Sequence, residues 1–401
     1  MKMKLYQKNI EKLKRKIAKS ISRLGTEAVY NIFAETQKLT QQGKKIIDLS
    51  LGQSDFKSPK HVVDATVQAL KDGHHGYTLP NGIIECREAV SRKIKRLYKA
   101  DIDPERIIIM PGGKPTMHYA ISIFGEPGAE IIYPDPGFPI YESMINFTGA
   151  KAIPYNMTEN KDFSINPDKI LSLINEKTRL LILNNPHNPT GGFTEKIVID
   201  KLAKGLVNFP HVAILSDEIY DRLIFDKKEI PTLFNYPDLY DRLIVLNGWS
   251  KTYAMTGWRL GRGVWPEQLI EHVFKFCVNN HSCVNTAAQY GAIAALDGPE
   301  DHLDDMMKEF IIRRKLIVNG LRSLKGVECS LPGGSFFVFP NVKGTGMNGE
   351  EFTEKCLKEA GVAMIPGTAF GKFASDHVRF NFATSRENIS KAIEKIDKIL
   401  K

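Results

Sequence analysis

The chain has 401 residues, of which 42% are apolar and 25% charged, and its formal net charge is +9. This length exceeds what one small core can hold and predicts a large domain accompanied by a smaller one. The composition is ordinary for a soluble globular protein, and no apolar run approaches the ~20 residues needed to span a membrane.

The positive charge is concentrated at the amino terminus. Residues 1–24 carry nine Lys or Arg against one acid, so this segment holds +8 of the +9 and the rest of the chain sums to +1. A nearly neutral body argues against nucleic-acid binding. Apolar residues recur here at helical spacing, and we favour a solvated helix packing on the body or a partner subunit over a membrane-surface or targeting helix. The stripe consists of Tyr6, Ile10, Leu13, Ile17, Ile21 and Leu24.

The five cysteines are odd in number and show no CxxC or metal-ligand spacing. This pattern predicts a reducing compartment without structural disulfides, hence a cytoplasmic protein, and it gives no sign of a metal site. No continuous apolar segment follows the amino-terminal charges, which excludes a secretory signal.

From about residue 105, short apolar runs alternate with longer amphipathic stretches. The runs are rich in β-branched residues and end at Gly, Pro, Asn or Asp, as buried strands do. The segments between them are long enough for crossover helices, so the pattern predicts a parallel sheet with helices on both faces. Such sheets bind ligands where their strands end. The predicted strands are residues 106–110, 129–134, 179–186, 211–218 and 241–248.

The C-terminal part of the chain has a different pattern. Residues 335–340 and 377–383 are predicted strands, and residues 387–400 form a predicted amphipathic helix. Together they indicate a second, α+β domain.

Two of the strands lead into loops that suit a phosphate and an aromatic ring. In "MPGGKPTMHYA" (110–120) two glycines precede a predicted helix, whose N-terminal N–H groups can hold an anion. Pro115 excludes a Walker loop, and an ordinary strand–turn–helix corner would also explain the segment. In "PDPGFPIY" (134–141), rigid prolines surround Phe138, which could stack on a ligand or simply be a buried loop aromatic.

Two further loops are polar. "NNPHNPTGG" (184–192) could supply an asparagine to a ligand, although tight turns alone account for its composition. His187 in it lacks a second residue at metal spacing. In "ILSDEIYD" (214–221), Asp217 ends a strand, where a buried carboxylate needs a cation unless it caps a helix, and Tyr220 follows on the same side of the next turn.

The segment "NGWSKTYAMTGWR" (247–259) places Lys251 among aromatic and small residues. A lysine in such surroundings either lies on the surface along apolar neighbours or loses its proton and forms a Schiff base. The five loops together suit a ligand that has a phosphate, a flat cationic ring, a phenolic oxygen and an aldehyde. That ligand is pyridoxal 5′-phosphate.

In this order, "NNPHNPTGG", "SDEIYD" and "SKTYAMTGWRLG" resemble the signature of the class I/II aminotransferases, which are fold-type-I pyridoxal-phosphate enzymes. "IIDLSLGQSDFKSP" (46–59), "GYTLPNGIIECREAV" (76–90) and "HVRFNFA" (377–383) are similar to other segments of that family. The resemblance begins near residue 17 and leaves residues 1–16 as a basic extension.

The resemblance implies an α/β fold with a mostly parallel seven-stranded sheet flanked by helices, and a smaller α+β domain built from both chain ends. The large, cofactor-binding domain would be residues 55–300, and the small domain would combine residues 17–54 with 301–401. It also implies a homodimer that moves an amino group between an L-amino acid and a 2-oxo acid.

The resemblance further implies roles for individual residues. Lys251 would form the Schiff base and shuttle a proton, Asp217 would pair with the pyridinium nitrogen, and Tyr220 would bond the phenolic oxygen. The implied cofactor-binding residues are Gly113, Lys114, Phe138, Asn188, Asp217, Tyr220, Lys251, Arg259 and, from the second subunit, Tyr77; those for the substrate carboxylate are Gly52, Asn188 and Arg379.

Two departures and two alternatives remain. Many relatives have a serine where this chain has Gly248, and we identify no distal arginine that would support aspartate specificity. The same residues would suit a lyase or an amino-acid oxidase. A binding protein without catalysis is less favoured, because Lys251 and Asp217 are intact and sixteen extra residues are too few for a DNA-binding domain.

Overall fold

The computed structural model describes Lys14 and residues 16–25, 28–158, 162–226 and 231–401. Its strands, numbered in chain order, are β1 Ile47–Asp48, β2 Ile107–Met110, β3 Glu130–Asp135, β4 Lys151–Asn156, β5 Thr178–Asn184, β6 Ala213–Asp217, β7 Leu243–Gly248, β8 Gly261–Val264, β9 Phe337–Val338, β10 Val362–Ala363, β11 Ile365–Pro366 and β12 Val378–Asn381. Its helices are α1 Ala28–Gln41, α2 Lys60–Lys71, α3 Ile84–Tyr98, α4 Lys114–Phe124, α5 Ile140–Thr148, α6 Pro167–Leu173, α7 Lys196–Leu206, α8 Ile270–Asn280, α9 Thr286–Asp297, α10 Asp301–Ser323, α11 Gly349–Lys355 and α12 Arg386–Leu400.

The central sheet has seven strands in the order β2-β8-β7-β6-β5-β3-β4. Strand β8 is antiparallel to both of its neighbours, and the pairs among β7, β6, β5, β3 and β4 are all parallel. The predicted mostly parallel seven-stranded sheet is therefore confirmed. All five strands located from the apolar runs are present, within a few residues of their predicted ends.

Strands β4 and β8 were not located from the sequence. Strand β4 lies at the sheet edge and contains Pro154, which cannot donate to a ladder and weakens a strand pattern. Strand β8 has the sequence GRGV and lacks β-branched residues except at its end. A Cβ on Gly261 would lie 2.2 Å from the carbonyl carbon of Gly112, so only glycine permits the loop after β2 to pack this closely.

The C-terminal helix α12 shows how local sequence defines an element. Ser385 caps it, because its Oγ accepts the backbone N–H of Asn388 at 3.1 Å. Ile389, Ala392 and Ile396 form its buried face, at the spacing that the amphipathic pattern requires. The helix predicted over residues 387–400 is confirmed.

Two smaller sheets join the chain ends. Strand β1 pairs in parallel with β10, with Ile47 opposite Val362, and β11, β12 and β9 form an antiparallel sheet in that order. A hydrophobic cluster beneath them combines α10, α12 and these strands, and it includes Phe310, Phe380 and Ile389. Residues near position 47 and residues beyond 300 thus pack in one core.

The described part of the amino-terminal segment lies against α5. Residues 21–23 form a 3₁₀ turn, and the Arg23 guanidinium donates to the carbonyls of Asn146 and Phe147 at 2.7 and 2.8 Å. Most of the predicted basic extension, with Tyr6, Ile10 and Leu13 of its apolar stripe, falls outside the described residues. Across the ranges that the structure describes, no helix has both the length and the apolar character required to cross a bilayer.

Candidate active site

Five loops meet at one edge of the central sheet. Strand β2 runs in the same direction as β3, β5, β6 and β7, since β8 is antiparallel to both β2 and β7. The segments that follow these strands therefore emerge on the same side, at the edge where parallel sheets bind ligands. They comprise residues 111–113, 136–139, 185–192, 218–220 and 249–252.

Lys251 lies in the turn after β7, close to several aromatic rings. Its Nζ donates a hydrogen bond of 2.5 Å to the Gly52 carbonyl and lies 5.8 Å from the Tyr220 ring centroid and 5.5 Å from that of Phe336. Burial and, second to it, the positive charge of Arg379 together lower the pKa of its amine to about 8. About one-tenth of this amine is thus neutral, and nucleophilic, at pH 7, far more than for a lysine of ordinary pKa.

Asp217 ends β6 and is 4% exposed. Its Oδ2 accepts a hydrogen bond of 2.6 Å from the Tyr141 hydroxyl, and its Oδ1 accepts one of 3.2 Å from the backbone N–H of Ile219. Burial raises the pKa of the carboxyl to about 6, against the opposing effects of these hydrogen bonds and of Lys251. A turn rather than a helix follows Asp217, so the carboxylate does not serve as a helix cap.

Tyr141 is a site residue that sequence reasoning missed. It belongs to the first turn of α5, is completely buried, and directs its hydroxyl at the Asp217 carboxylate. The signal that could have found it is weak: a tyrosine in the first turn of a helix that follows a polar strand end. Its apolar neighbours on α5 made it indistinguishable from a core aromatic.

Arg379 lies on β12 and is 2% exposed. Its guanidinium donates to the Asn188 side-chain oxygen at 3.0 Å and to the Ser50 carbonyl at 2.7 Å. The rings of Phe337 and Phe370 lie 4.3 and 4.7 Å from its Cζ. These contacts hold a permanently charged, planar group in a fixed orientation.

Asn184 is a second residue that sequence reasoning missed, although it begins the quoted polar loop. Its amide donates to the backbone carbonyl of Asp217 at 3.0 Å, and its side-chain oxygen accepts the N–H of Asn188 at 2.9 Å. It thereby joins the ends of β5 and β6.

His187 is buried with a ring nitrogen 2.7 Å from the Thr190 hydroxyl, and burial lowers its pKa to about 3. No cluster of metal-ligating side chains occurs in the described ranges.

The turn between β2 and α4 forms a cradle under a guanidinium. Gly112 has φ +89°, and a Cβ on it would lie 2.2 Å from a terminal nitrogen of Arg259. Arg259 donates to the carbonyls of Thr256 at 2.8 Å and Pro111 at 3.4 Å and remains exposed. Gly113 then precedes the first turn of α4. A helix N-terminus beside an exposed guanidinium suits an anion such as a phosphate.

Lys114 and Phe138 lie next to each other at this edge. The Lys114 Nζ is 5.6 Å from the Phe138 ring centroid and also 5.6 Å from that of Tyr30 on α1. Phe138 is half-buried and meets Tyr141 edge-on, with centroids 5.9 Å apart. Tyr30 was not anticipated from the sequence as a neighbour of this edge.

Two further sequence observations acquire a structural context. Tyr77 is 92% exposed and lines a surface groove with His74 and Thr286 instead of contacting the residues described above. At Gly248, a Cβ would lie 3.1 Å from the Cα of Gly261 and from the Leu260 carbonyl. The tight β7–β8 contact therefore disfavours a serine side chain at this position.

The arrangement combines four chemical capacities at one sheet edge. The amine of Lys251 has a lowered pKa, and the buried carboxyl of Asp217 forms no ion pair within 4 Å among the described residues. The turn at Gly112 can bind an anion, and the guanidinium of Arg379 is held rigidly. Such a set can bind a phosphorylated, cationic aromatic compound together with a carboxylate and can transfer a proton between them.

Comparisons with known proteins agree with this geometry. The family model described as aminotransferase class I and II matches residues 44–396. The aspartate aminotransferase of Pyrococcus horikoshii is 36% identical over 97% of this chain and 98% of its own length. The aromatic-amino-acid aminotransferase 2 of Thermococcus litoralis is 34% identical over 90% of this chain and 94% of its own. The crystal structure of the aspartate aminotransferase from Rhizobium meliloti matches with a TM-score of 0.91 at 30% identity, covering 96% of this chain and 98% of that one.

Proposed function

The chain belongs to the class I and II aminotransferase family and is a pyridoxal-phosphate-dependent aminotransferase, and from that premise we propose which of its residues carry the reaction. Lys251 is the catalytic amine, Asp217 binds the pyridine nitrogen, and Arg379 binds the substrate carboxylate. The observation that carries this assignment is that three charged groups are held at one edge of the sheet. The Lys251 amine donates to the Gly52 carbonyl at 2.5 Å, the buried Asp217 carboxylate accepts the Tyr141 hydroxyl at 2.6 Å, and the Arg379 guanidinium donates to the Asn188 side-chain oxygen at 3.0 Å.

The residues present fit pyridoxal phosphate. The cofactor, when bound, supplies an aldehyde that condenses with amines and a ring that withdraws electrons from the substrate Cα. Asp217 is buried with its pKa raised to about 6, so a cationic ring nitrogen facing it would stabilise its ionised form. The glycine turn that ends in Gly113 and Lys114 and the exposed Arg259 suit the phosphate, and Phe138 suits the ring face.

We propose two functions for the Lys251 amine, attachment of the cofactor and proton transfer. Its nitrogen would hold the cofactor by condensing with the aldehyde, and the amine that a substrate amine then sets free would move the proton between the substrate Cα and the cofactor. The pKa of about 8 supports this role, because an amine with an ordinary pKa near 10.5 would be almost fully protonated at neutral pH. Tyr220 stands beside the amine, and its hydroxyl and the Asn188 amide would bond the cofactor's phenolic oxygen.

Arg379 would receive the α-carboxylate in a bidentate pair, with Asn188 and the Gly52 backbone alongside. Its orientation by Asn188 and Ser50 supports this role, since a guanidinium held before binding loses little freedom when the substrate arrives. We expect Arg379→Lys to raise the KM for the amino donor on the order of a hundredfold, with kcat changed much less. An unchanged KM would remove Arg379 from the carboxylate site.

The test of the activity is a half-reaction on the holoenzyme. L-aspartate, L-glutamate, L-alanine, L-phenylalanine and L-tyrosine are added one at a time, and the absorbance of the bound cofactor is followed. Relatives are named for aspartate and for aromatic amino acids, so we expect at least one of these donors to convert the pyridoxal to the pyridoxamine form. Lys251→Ala should abolish the conversion. Conversion by none of the five donors would contradict the proposed assignment of the site.

We propose that the enzyme is a homodimer in which Tyr77 completes the phosphate site of the other subunit. The 92% exposure of its side chain supports this role, because a tyrosine so exposed has room for a partner. Mixing Tyr77→Ala with Lys251→Ala chains tests it. One site of the hybrid then has both wild-type residues if Tyr77 acts across the interface, and activity should return. Inactive hybrids, or a fully active monomer, would contradict the proposal.

We also propose the domain division that the resemblance implies, with residues 55–300 as the large domain and residues 17–54 and 301–401 as the small one. The pairing of Ile47 with Val362 and the shared hydrophobic cluster support it. The 3₁₀ turn near residue 21, by contrast, contacts α5 of the large domain. A cytoplasmic location is proposed from the free cysteines, which fractionation of cells would test.

A further inference from the structure

Asp135, at the end of β3, binds a turn that is distant in sequence. It is 1% exposed, and its two carboxylate oxygens accept the backbone N–H groups of Lys372 at 3.1 Å and Phe373 at 3.4 Å. Beside this contact, the N–H of Gly137 donates to the carbonyl of Phe370 at 2.7 Å. A carboxylate and a backbone hydrogen bond therefore join the loop after β3 to residues 370–373.

Gly371 allows this contact. Its φ is +147°, and a Cβ at this position would lie 1.9 Å from Oδ1 of Asp135. Any other residue would displace the turn from the carboxylate. The geometry of the turn and the acid at the strand end thus depend on each other.

Both the loop after β3 and the 370–373 turn contribute an aromatic side chain to the active site. The Phe370 ring lies 4.7 Å from the Arg379 Cζ, and Phe370 packs on Phe339 at a centroid distance of 6.1 Å. On the other side, Asp135 is three residues before Phe138. The hydrogen bonds at Asp135 therefore fix the distance between two parts of the site. One is the Phe370 ring, which packs on Arg379, and the other is the loop that carries Phe138.

A contribution to stability does not by itself explain why an acid occupies position 135. Burial raises the pKa of the Asp135 carboxyl, the negative charge of Glu142 adds to this, and the two backbone N–H groups oppose it. A buried acid of this kind is retained at a cost that an apolar side chain would not carry.

We propose that Asp135 is a positioning residue, which holds the 370–373 turn so that Phe370 keeps the Arg379 guanidinium aimed at the substrate carboxylate. The inference rests on the carboxylate-binding role proposed for Arg379. It makes Asp135 act through Phe370 and Arg379, without contact with substrate.

The test compares Asp135→Ala and Gly371→Ala with the control Asp103→Ala. Asp103 also accepts a backbone N–H at a short 3₁₀ turn, from Glu105 at 2.9 Å, but lies elsewhere. With the most active donor of the panel, we expect each of the first two variants to raise KM roughly tenfold with kcat nearly unchanged, and the control to leave both unchanged. The KM of the double variant should be close to the KM of the more impaired single variant, because both changes break the same contact.

Hydrogen exchange supplies a readout that does not depend on turnover. The amides of residues 371–374 should exchange faster in Asp135→Ala than in the wild type, while those of α12 remain protected. Unchanged exchange there, or a KM for Asp135→Ala within twofold of the wild type, overturns the inference. If Arg379→Lys also leaves KM unchanged, the proposed carboxylate site is at fault. If Arg379→Lys raises KM and Asp135→Ala does not, only the positioning role is wrong.

Discussion

The buried acid at the centre of the site should destabilise the protein when no cofactor is bound. The pKa of Asp217 rises from its ordinary 3.8 to about 6 on folding, which is about two pH units. At about 1.4 kcal/mol per unit, ionised Asp217 costs the apoenzyme about 3 kcal/mol at pH 8. Asp217→Asn removes this cost. The new amide also has one acceptor oxygen for the two donors, Tyr141 and Ile219, so about 1 kcal/mol is lost again.

We therefore expect apo Asp217→Asn to be more stable than the wild type by about 2 kcal/mol at pH 8. The sign with pH follows from the raised pKa. Between about pH 4 and pH 6 the folded state binds more protons than the unfolded state, so wild-type stability falls as the pH rises through this window. The advantage of the variant should thus be smaller at pH 5 than at pH 8, by about 1.5 kcal/mol.

Urea unfolding of the two apoenzymes at both pH values measures this difference. Asp241→Asn is the control, because that side chain is 74% exposed and should change stability by less than about 0.5 kcal/mol at either pH. Saturating pyridoxal phosphate should stabilise the wild type more than Asp217→Asn, and kcat should fall on the order of a hundredfold in the variant. An apo variant that is less stable than the wild type at pH 8 would refute the reasoning.

Three further outcomes are expected. In the apoenzyme, the rate at which Lys251 reacts with pyridoxal phosphate should rise with pH through about 8, because only the neutral amine is nucleophilic; a flat borohydride-trapping rate between pH 6 and pH 9 would contradict this. Gly112→Ala should weaken cofactor binding by displacing Arg259, whereas Gly128→Ala, with a similar φ of +96° but open space around it, should cost only about 1 kcal/mol of stability; equal cofactor affinities, measured by fluorescence titration, would disprove the difference. Tyr141→Phe should move the acidic limb of the kcat–pH profile to higher pH, because it removes a hydrogen bond that lowers the pKa of Asp217. An unmoved limb would show that this hydrogen bond does not affect turnover.

Much of the fold follows from local pattern. Apolar runs that end in polar residues located β2, β3, β5, β6 and β7, because a strand buried on both faces must be continuously apolar and must stop where the chain reaches solvent. Strand β8 escaped this logic. Its glycines are required by the approach of the Gly112 backbone, a contact between segments nearly 150 residues apart that no local pattern encodes.

The candidate site divides in the same way. Lys251 and Asp217 could be named from the sequence, since a lysine among aromatic residues and an acid at a strand end are each unfavourable without a chemical reason. Tyr141, Asn184 and Asp135 could not be. Each makes a hydrogen bond to a group that is distant in the chain, and its residue type is ordinary at its position. Residue chemistry thus determined which groups could react, and only tertiary packing decided which groups hold them, because orientation depends on contacts that chain order does not contain.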